Sequence, residues 1–307
     1  MRIAILGGTS QIAKDLILQF SKKSSVELAI FSRNLEAQNK WLAMHKVVKK
    51  YKSYYLREFN KNQSFDAVIN FIGTSDQARD PTLSKLFLET TQKYDSIIIN
   101  YLEKFPNSKY IFLSSGAVFG GNFSEPITCN SVARVTLNSP KELSWYGISK
   151  LFAECNHRAL REFSIIDLRI FSYFSHLQNM EAKFLMSEVM VSLKSKRTMI
   201  VNSQDIVRDY IGPKDFFKMI ERILEISCGN MAIDCYSLKP ISKFTLLEKL
   251  SEAYGLEYKI DANLNTQDPK VLKLNYFSVN KDAEKLGYYP EYSSLSGIFE
   301  ELNKLHW

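Results

Sequence analysis

Apolar residues along this chain fall into short unbroken runs separated by longer amphipathic stretches. RIAILGG is the first such run, closed by glycines, and TSQIAKDLILQFSKK behind it repeats its apolar positions at helical spacing. VELAIFSR and DAVINFIGT give two more strands, SKYIFLSSGAVFG a fourth that breaks into a Ser/Gly loop, and FSIIDLRIF a fifth. Between the last two lies ELSWYGISKLFAE, which has the period of an amphipathic helix. Apolar strands alternating with helices predict parallel strands joined by helical crossovers, an α/β chain with a doubly wound sheet. Beyond about residue 170 the rhythm loosens. Helices are predicted near 183–196 and 214–227, and in TLLEKLSEAYG and SVNKDAEKLGY. The division expected is a sheet domain over residues 1–170 and a smaller mixed α/β lobe over 171–307, with some segments of the lobe returning to the sheet.

Composition narrows the class. With 307 residues the chain is long enough to bury a large core. Its 45% hydrophobic and 24% charged residues are globular proportions, which sets aside a disordered or fibrous chain. No apolar run approaches the roughly 18 residues of a membrane span. The opening MRIAILGG runs directly into a buried-strand pattern, so no secretory leader is expected and the expected location is the cytoplasm. Cys129, Cys155, Cys228 and Cys235 form no CxxC pair and have no histidine cluster nearby, which predicts reduced thiols and no metal site. The formal charge of +7 points to an anionic partner without naming it. The densest basic stretch, HKVVKKYKSYYLREFNKN at residues 45–62, interleaves tyrosines with lysines. It reads first as a solvated helix face followed by a strand, and only second as a surface for single-stranded nucleic acid.

Two positions raise the question of a dinucleotide. ILGGTSQIAKDL joins the first strand to the first helix, where a pyrophosphate needs a tight turn, close backbone approach and the positive end of a helix. Gly7 supplies the turn and Ala13 is small enough for close helix packing, whereas Ser10 stands where a second glycine is expected. At the end of the second strand, an NAD site places Asp or Glu against the ribose 2′-hydroxyl. Here Ser32, Arg33 and Asn34 occupy that end, and a hydroxyl with a guanidinium suits a 2′-phosphate. NADP is therefore the expected cofactor.

The remaining motifs give the chain a family. GGTSQIA, LSSGAVFG, YGISK, DLRIF, VRDYIGPKD and NKDAEKLGYYP occur in the order found in the extended short-chain dehydrogenase/reductases, the branch rich in nucleotide-sugar epimerases, dehydratases and reductases, and the chain resembles that family over nearly its whole length. The resemblance implies a Rossmann-type NADP-binding domain over 1–170 and a mainly substrate-binding lobe over 171–307. It places Ser115 at the catalytic serine position, Tyr146 at that of the proton donor and Lys150 at that of its lysine partner, with Phe119 replacing the usual tyrosine of the serine motif. Cofactor contacts implied are Gly7 and Thr9, Ser10, Gln11 and Ile12 in the loop and helix start. Further contacts are expected from Ser32, Arg33 and Asn34, from Phe71, Ile72 and Gly73 after the third apolar strand, and from Tyr146, Lys150 and Phe171. Ser115, Ser172 and Arg208 are the implied substrate contacts, Arg208 against a nucleotide-sugar diphosphate. Chemistry agrees with the spacing, because i, i+4 puts Tyr146 and Lys150 on one helix face. A free phenol has a pKa near ~10, and a nearby ammonium favours its ionised form.

Departures from the family pattern bear on the reaction. Gly116 and Ala117 stand where the family's dehydratases carry an Asp–Glu pair. No cysteine follows the serine as in its epimerase-reductases, and His176 lies near, but outside, their histidine motif. Ser172 occupies the place of the 4-epimerases' asparagine. The leading expectation is an NADPH-dependent reductase of a nucleotide-linked keto-sugar, a 4-keto-6-deoxy hexose or a related heptose, working as a homodimer without nucleic acid or membrane. A nucleotide-sugar epimerase with retained cofactor is the alternative, and a dinucleotide-binding sensor or nucleic-acid partner without chemistry is the third.

Overall fold

The computed structural model describes residues 1–47, 51–59, 62–73, 84–121, 123–138, 144–227, 229–264 and 273–305. Cys228 and parts of the basic stretch (48–50 and 60–61) lie outside them. The first half alternates strand and helix: β1 (Arg2–Leu6), α1 (Gln11–Phe20), β2 (Glu27–Ser32), α2 (Leu35–Met44), β3 (Tyr51–Tyr55), β4 (Ala67–Asn70), α3 (Ser84–Lys104), β5 (Lys109–Ser115), α4 (Trp145–Ala159) and β6 (Ile165–Ile170). The second half adds β7 (Ser172–Tyr173), α5 (Leu185–Ser195), β8 (Met199–Asn202), β9 (Val207–Arg208), β10 (Tyr210–Ile211), α6 (Pro213–Glu225) and β11 (Met231–Asp234). It ends with β12 (Ile241–Ser242), α7 (Lys243–Tyr254), β13 (Tyr258–Asp261), β14 (Asn275–Tyr276) and α8 (Ser294–Leu302).

Seven strands form one parallel sheet in the order β11-β6-β5-β4-β1-β2-β3. The central strands are mostly apolar because both faces are covered. Ile3, Ile5, Ile69, Ile111 and Ile166 face α1, α2 and α6, while Ala4, Leu6, Val68, Phe112 and Ile165 face α3 and α4. Each of those isoleucines is fully buried, a contribution of about 1.5–3 kcal/mol apiece. Winding reverses between β1 and β4, where the chain returns to extend the sheet from its other side. In open α/β sheets the crevice at that reversal, beyond the carboxyl ends of the strands, is where ligands bind.

A second core lies beyond the sheet, built from Phe174, Met186, Val189, Met199, Leu246, Leu250 and Ile298. Its strands are short, in pairings β10-β7, β12-β9-β14 and β13-β8. Two sequence expectations change here. SVNKDAEKLGY forms only a 3₁₀ turn at Asp282–Leu286, closed by Gly287 at φ +75°, a left-handed conformation that ends helices. The described residues of the basic stretch hold the expected strand but no helix face: α2 stops at Met44, Lys46 takes φ +48°, and Tyr51–Tyr55 form edge strand β3. No helix among the described residues is long and apolar enough to cross a membrane.

Candidate active site

Gly7 needs to be glycine for two separate reasons. Its φ is +83°, and a Cβ there would stand 3.0 Å from the Phe71 carbonyl carbon and 3.1 Å from the Ile72 nitrogen. The ends of β1 and β4 therefore close on each other across the reversal, and Gly7 donates its N–H to the Phe31 carbonyl at 2.9 Å. Ser10, the apparent flaw in the loop, is the N-cap of α1: its hydroxyl accepts the Ala13 N–H at 3.2 Å. Thr9 is exposed, and Ile12 half-buried. The Gln11 amide is turned toward the second core, donating to Ser175 at 3.2 Å and Gln178 at 3.1 Å. Phe71 is buried, Ile72 takes the Asn70 side chain on its N–H at 3.0 Å, and Gly73 is exposed, its open side 3.9 Å from Lys150 Nζ. A glycine turn, a helix N-terminus and an exposed strand end suit a dinucleotide.

The end of β2 divides the phosphate-binding expectation. Ser32 is buried and spends its hydroxyl on the Asn34 carbonyl at 3.1 Å, and Asn34 caps α2 by accepting the Ala37 N–H at 2.9 Å. Arg33 and Asn34 are both exposed, and with Ser32 and Asn34 engaged Arg33 is the side chain left to meet a ligand.

Ser115 ends β5 and caps the turn Gly116–Phe119, its Oγ accepting the Ala117 N–H at 3.2 Å. That turn is pressed against the first turn of α4: a Cβ on Gly147 would come 2.4 Å from the Ala117 carbonyl oxygen. Glycine directly after Tyr146 thus lets the tyrosine's helix reach the serine's loop. Tyr146 lies edge-on to Phe87, ring centres 6.2 Å apart. Burial pushes its phenol above the ordinary tyrosine range, and a hydrogen bond with Ser115 opposes this. Lys150 is buried one turn on, donating to the Leu113 carbonyl at 2.8 Å and lying 4.3 Å from the centre of the Phe112 ring. Its ammonium is 5.9 Å from the centre of the Tyr146 ring. Desolvation lowers the Lys150 pKa to about 8 against the pull of Asp95, Asp167 and Glu154. Lys150 thus lies on the helix face that the spacing suggested, with its ammonium held by the Leu113 carbonyl.

Phe171 is buried over Gly116: a Cβ on Gly116 would meet its ring at 2.3 Å. No side chain fits at 116 without displacing that ring. Ser172 is half-buried on β7, opposite Tyr210. Arg208 Nη1 donates to the carbonyls of Val207 at 2.7 Å and Lys273 at 2.8 Å, which ties it to the segment just before β14. Phe119 lies under the Arg169 guanidinium, 4.8 Å from its ring centre. His176 pairs with Glu301 at 2.7 Å. The structure thus gathers Ser115, Tyr146, Lys150, Phe171 and the Gly7 loop at one end of the sheet. Sequence reasoning missed Tyr276, whose Oη lies 3.0 Å from Ser115 Oγ; no motif marks it, and only long-range pairing brings it in.

A Rossmann-type sheet with a glycine loop and a Ser–Tyr–Lys set at its ligand-binding edge defines a class of nucleotide-dependent enzymes. The model of the NAD dependent epimerase/dehydratase family matches residues 3–230, and the chain belongs to that family. No curated protein matches it significantly by sequence. Among solved structures, it is similar to UDP-glucuronic acid 4-epimerase from Bacillus cereus in complex with UDP-glucuronic acid and NAD (TM-score 0.79, 15% identity, 99% of this chain and 98% of that one). It is also similar to dTDP-glucose 4,6-dehydratase from Bacillus anthracis in complex with NAD (0.76, 15%, 99% and 96%). UDP-glucose 4-epimerase from Bifidobacterium longum, in complex with NAD+ and UDP, gives 0.75 and 18% over 99% and 97%.

Proposed function

We propose that this chain modifies a nucleotide-linked sugar with a nicotinamide dinucleotide, and that epimerisation through an oxidised sugar carbon is the reaction best supported. The observation that carries this is the closure of the Tyr146 helix on the Ser115 loop, where Gly147 meets the Ala117 carbonyl, at the same end of the sheet as the Gly7 turn. Epimerisation draws support from the 4-epimerases of similar fold. Phe171 over Gly116 supports it too, by leaving no room for the acid that the family's dehydratases carry there.

A bound dinucleotide would supply a hydride acceptor and donor for the sugar carbon. The chain's own groups handle the proton and the placement. As the phenolate, Tyr146 takes the proton of the sugar hydroxyl and, as the phenol, returns it, while Ser115 holds that oxygen in line. Residues 7–12, Arg33 and Lys150 would hold the dinucleotide, and Arg208 the sugar's diphosphate. A homodimer pairing α3 with α4 in the cytoplasm belongs to the same proposal. Leu86 and Phe152, exposed apolar side chains on those helices, support the pairing.

A second reading, NADPH-dependent reduction of a nucleotide-linked 4-keto-6-deoxy hexose or heptose, is favoured by Arg33. Its exposed guanidinium, with no carboxylate at Ser32 or Asn34, suits the 2′-phosphate of NADP. In that case Tyr146 protonates the ketone oxygen. One experiment separates the two: UDP-, dTDP-, GDP- and CDP-linked sugars and their 4-keto forms, followed together by nicotinamide absorbance and proton NMR. Inversion without net absorbance change supports the epimerase, and NADPH loss matching sugar reduced supports the reductase. No change with any donor would sink the nucleotide-sugar reading. Arg33→Asp is expected to move the NADP-to-NAD ratio of kcat/KM toward NAD by about tenfold or more, the scale of one charge-assisted contact. An unchanged ratio would remove Arg33 from the cofactor site.

A further inference from the structure

Tyr276 belongs to none of the motifs that located the site, yet its phenol reaches Ser115 from far along the chain. It sits on β14, whose pairing with β9 sets it opposite Arg208. Its ring is held edge-on to Phe123 at 4.7 Å and tilted against Phe171 at 5.3 Å. Lys273 Nζ and the Arg208 guanidinium face that ring, 4.3 Å and 5.7 Å from its centre. The residue is 9% exposed, so its hydroxyl is matched by protein groups rather than by bulk water.

Counting hydrogens decides which way the bonds run. A serine hydroxyl donates one hydrogen and accepts two. One acceptor position of Ser115 is filled by the Ala117 N–H at 3.2 Å. Two phenols flank it, Tyr276 and Tyr146, and it can donate to only one of them. Burial pushes the Tyr276 phenol far above the ordinary tyrosine range, so it keeps its hydrogen throughout turnover. A Tyr146 phenolate, by contrast, can only accept. Tyr276 is therefore the phenol that donates, and Ser115 passes its own hydrogen to Tyr146.

We propose that Tyr276 is a positioning residue of this site, donating to Ser115 and so turning the Ser115 hydrogen toward the Tyr146 oxygen and the sugar oxygen beside it. The proposal rests on the reading of Tyr146 as the proton-transfer group. Hydrogen bonds in a chain polarise one another, so a serine that accepts from Tyr276 donates more strongly to Tyr146. Assisted in this way, Ser115 stabilises the Tyr146 phenolate more than a lone serine would.

Tyr276→Phe removes Oη and keeps the ring that packs on Phe123 and Phe171. On an accepted sugar, kcat is expected to fall about tenfold with KM changed less than about twofold, the scale of one hydrogen bond used in turnover. The limb of the pH profile that belongs to Tyr146 moves to higher pH, which loss of packing alone would not cause. In a Ser115→Ala background the same substitution is expected to add nothing. A readout without turnover is NMR of the full chain carrying isotope-labelled tyrosine ζ carbons, with Tyr146 assigned through Tyr146→Phe. The Tyr146 resonance shifts in Tyr276→Phe, and stays fixed when position 115 is already alanine. An unmoved resonance in the single variant overturns the proposal whether or not any sugar is turned over. A resonance that moves in a protein inert toward every sugar overturns the proposed function and keeps the hydrogen-bond chain.

Discussion

Replacing Tyr146 by phenylalanine is expected to lower kcat by about 10²–10⁴-fold, the range of a lost general acid–base group, while the protein stays folded and still binds its dinucleotide. The phenylalanine ring keeps the edge-on packing against Phe87, and Gly147 still lets α4 close on the Ala117 carbonyl. What disappears is one hydroxyl and its bond to Ser115, worth about 0.5–1.5 kcal/mol to the folded state. Lys150 holds its place through the Leu113 carbonyl and the Phe112 ring, neither of which involves Tyr146. Gly7 and the α1 N-terminus are likewise untouched. Turnover and dinucleotide titration in one preparation check this. Near-wild-type turnover would remove Tyr146 from the chemistry and leave Ser115 as the candidate, whereas loss of dinucleotide binding would give the hydroxyl a structural role instead.

The strands that hold this site were legible because a parallel strand covered on both faces carries a near-continuous apolar run, and β1, β2, β4, β5 and β6 each contain one. Gly7 was legible for a related reason, since a strand–helix corner at φ +83° admits little else. Ser10 was visible as a departure but not as the helix cap it is, because capping depends on where α1 starts. Other features depend on contacts between distant segments and leave no local period. Phe171 occupies the space beside Gly116, and Tyr276 on β14 reaches Ser115 from far along the chain. The partner of the Lys150 ammonium was hidden in the same way. Helical spacing fixed the shared face, while the ammonium's direction was set by the Leu113 carbonyl on a neighbouring strand.

The buried charges behind that face carry the second large effect. His157, in the last turn of α4, is wholly buried between Asp167 of β6, 2.6 Å from Nδ1, and Asp95 of α3, 2.7 Å from Nε2. Two carboxylates leave both ring nitrogens as donors, so the imidazole is a cation. Burial alone would lower its pKa, but the hydrogen bonds and charges of Asp167 and Asp95 prevail and raise it to about 9. Arg158 also binds Asp167, and Tyr110 donates to Asp95 at 3.0 Å. The cluster thus pins the helix bearing Tyr146 and Lys150 to both the sheet and α3. Because the folded pKa lies above the unfolded value of about 6.5, this stabilisation is complete below pH ~6.5 and is lost as pH rises through about 9. Its size is of the order of a few kcal/mol. His157→Gln should cost about 3–5 kcal/mol at pH 6, since it leaves a buried carboxylate without its cation. It should also flatten the fall in stability between pH 6.5 and 9. Denaturant melts of both proteins across that window provide the check. A variant that keeps the wild-type slope would mean another group titrates, and the α3–α4 clamp would then owe its strength to packing rather than to this cation.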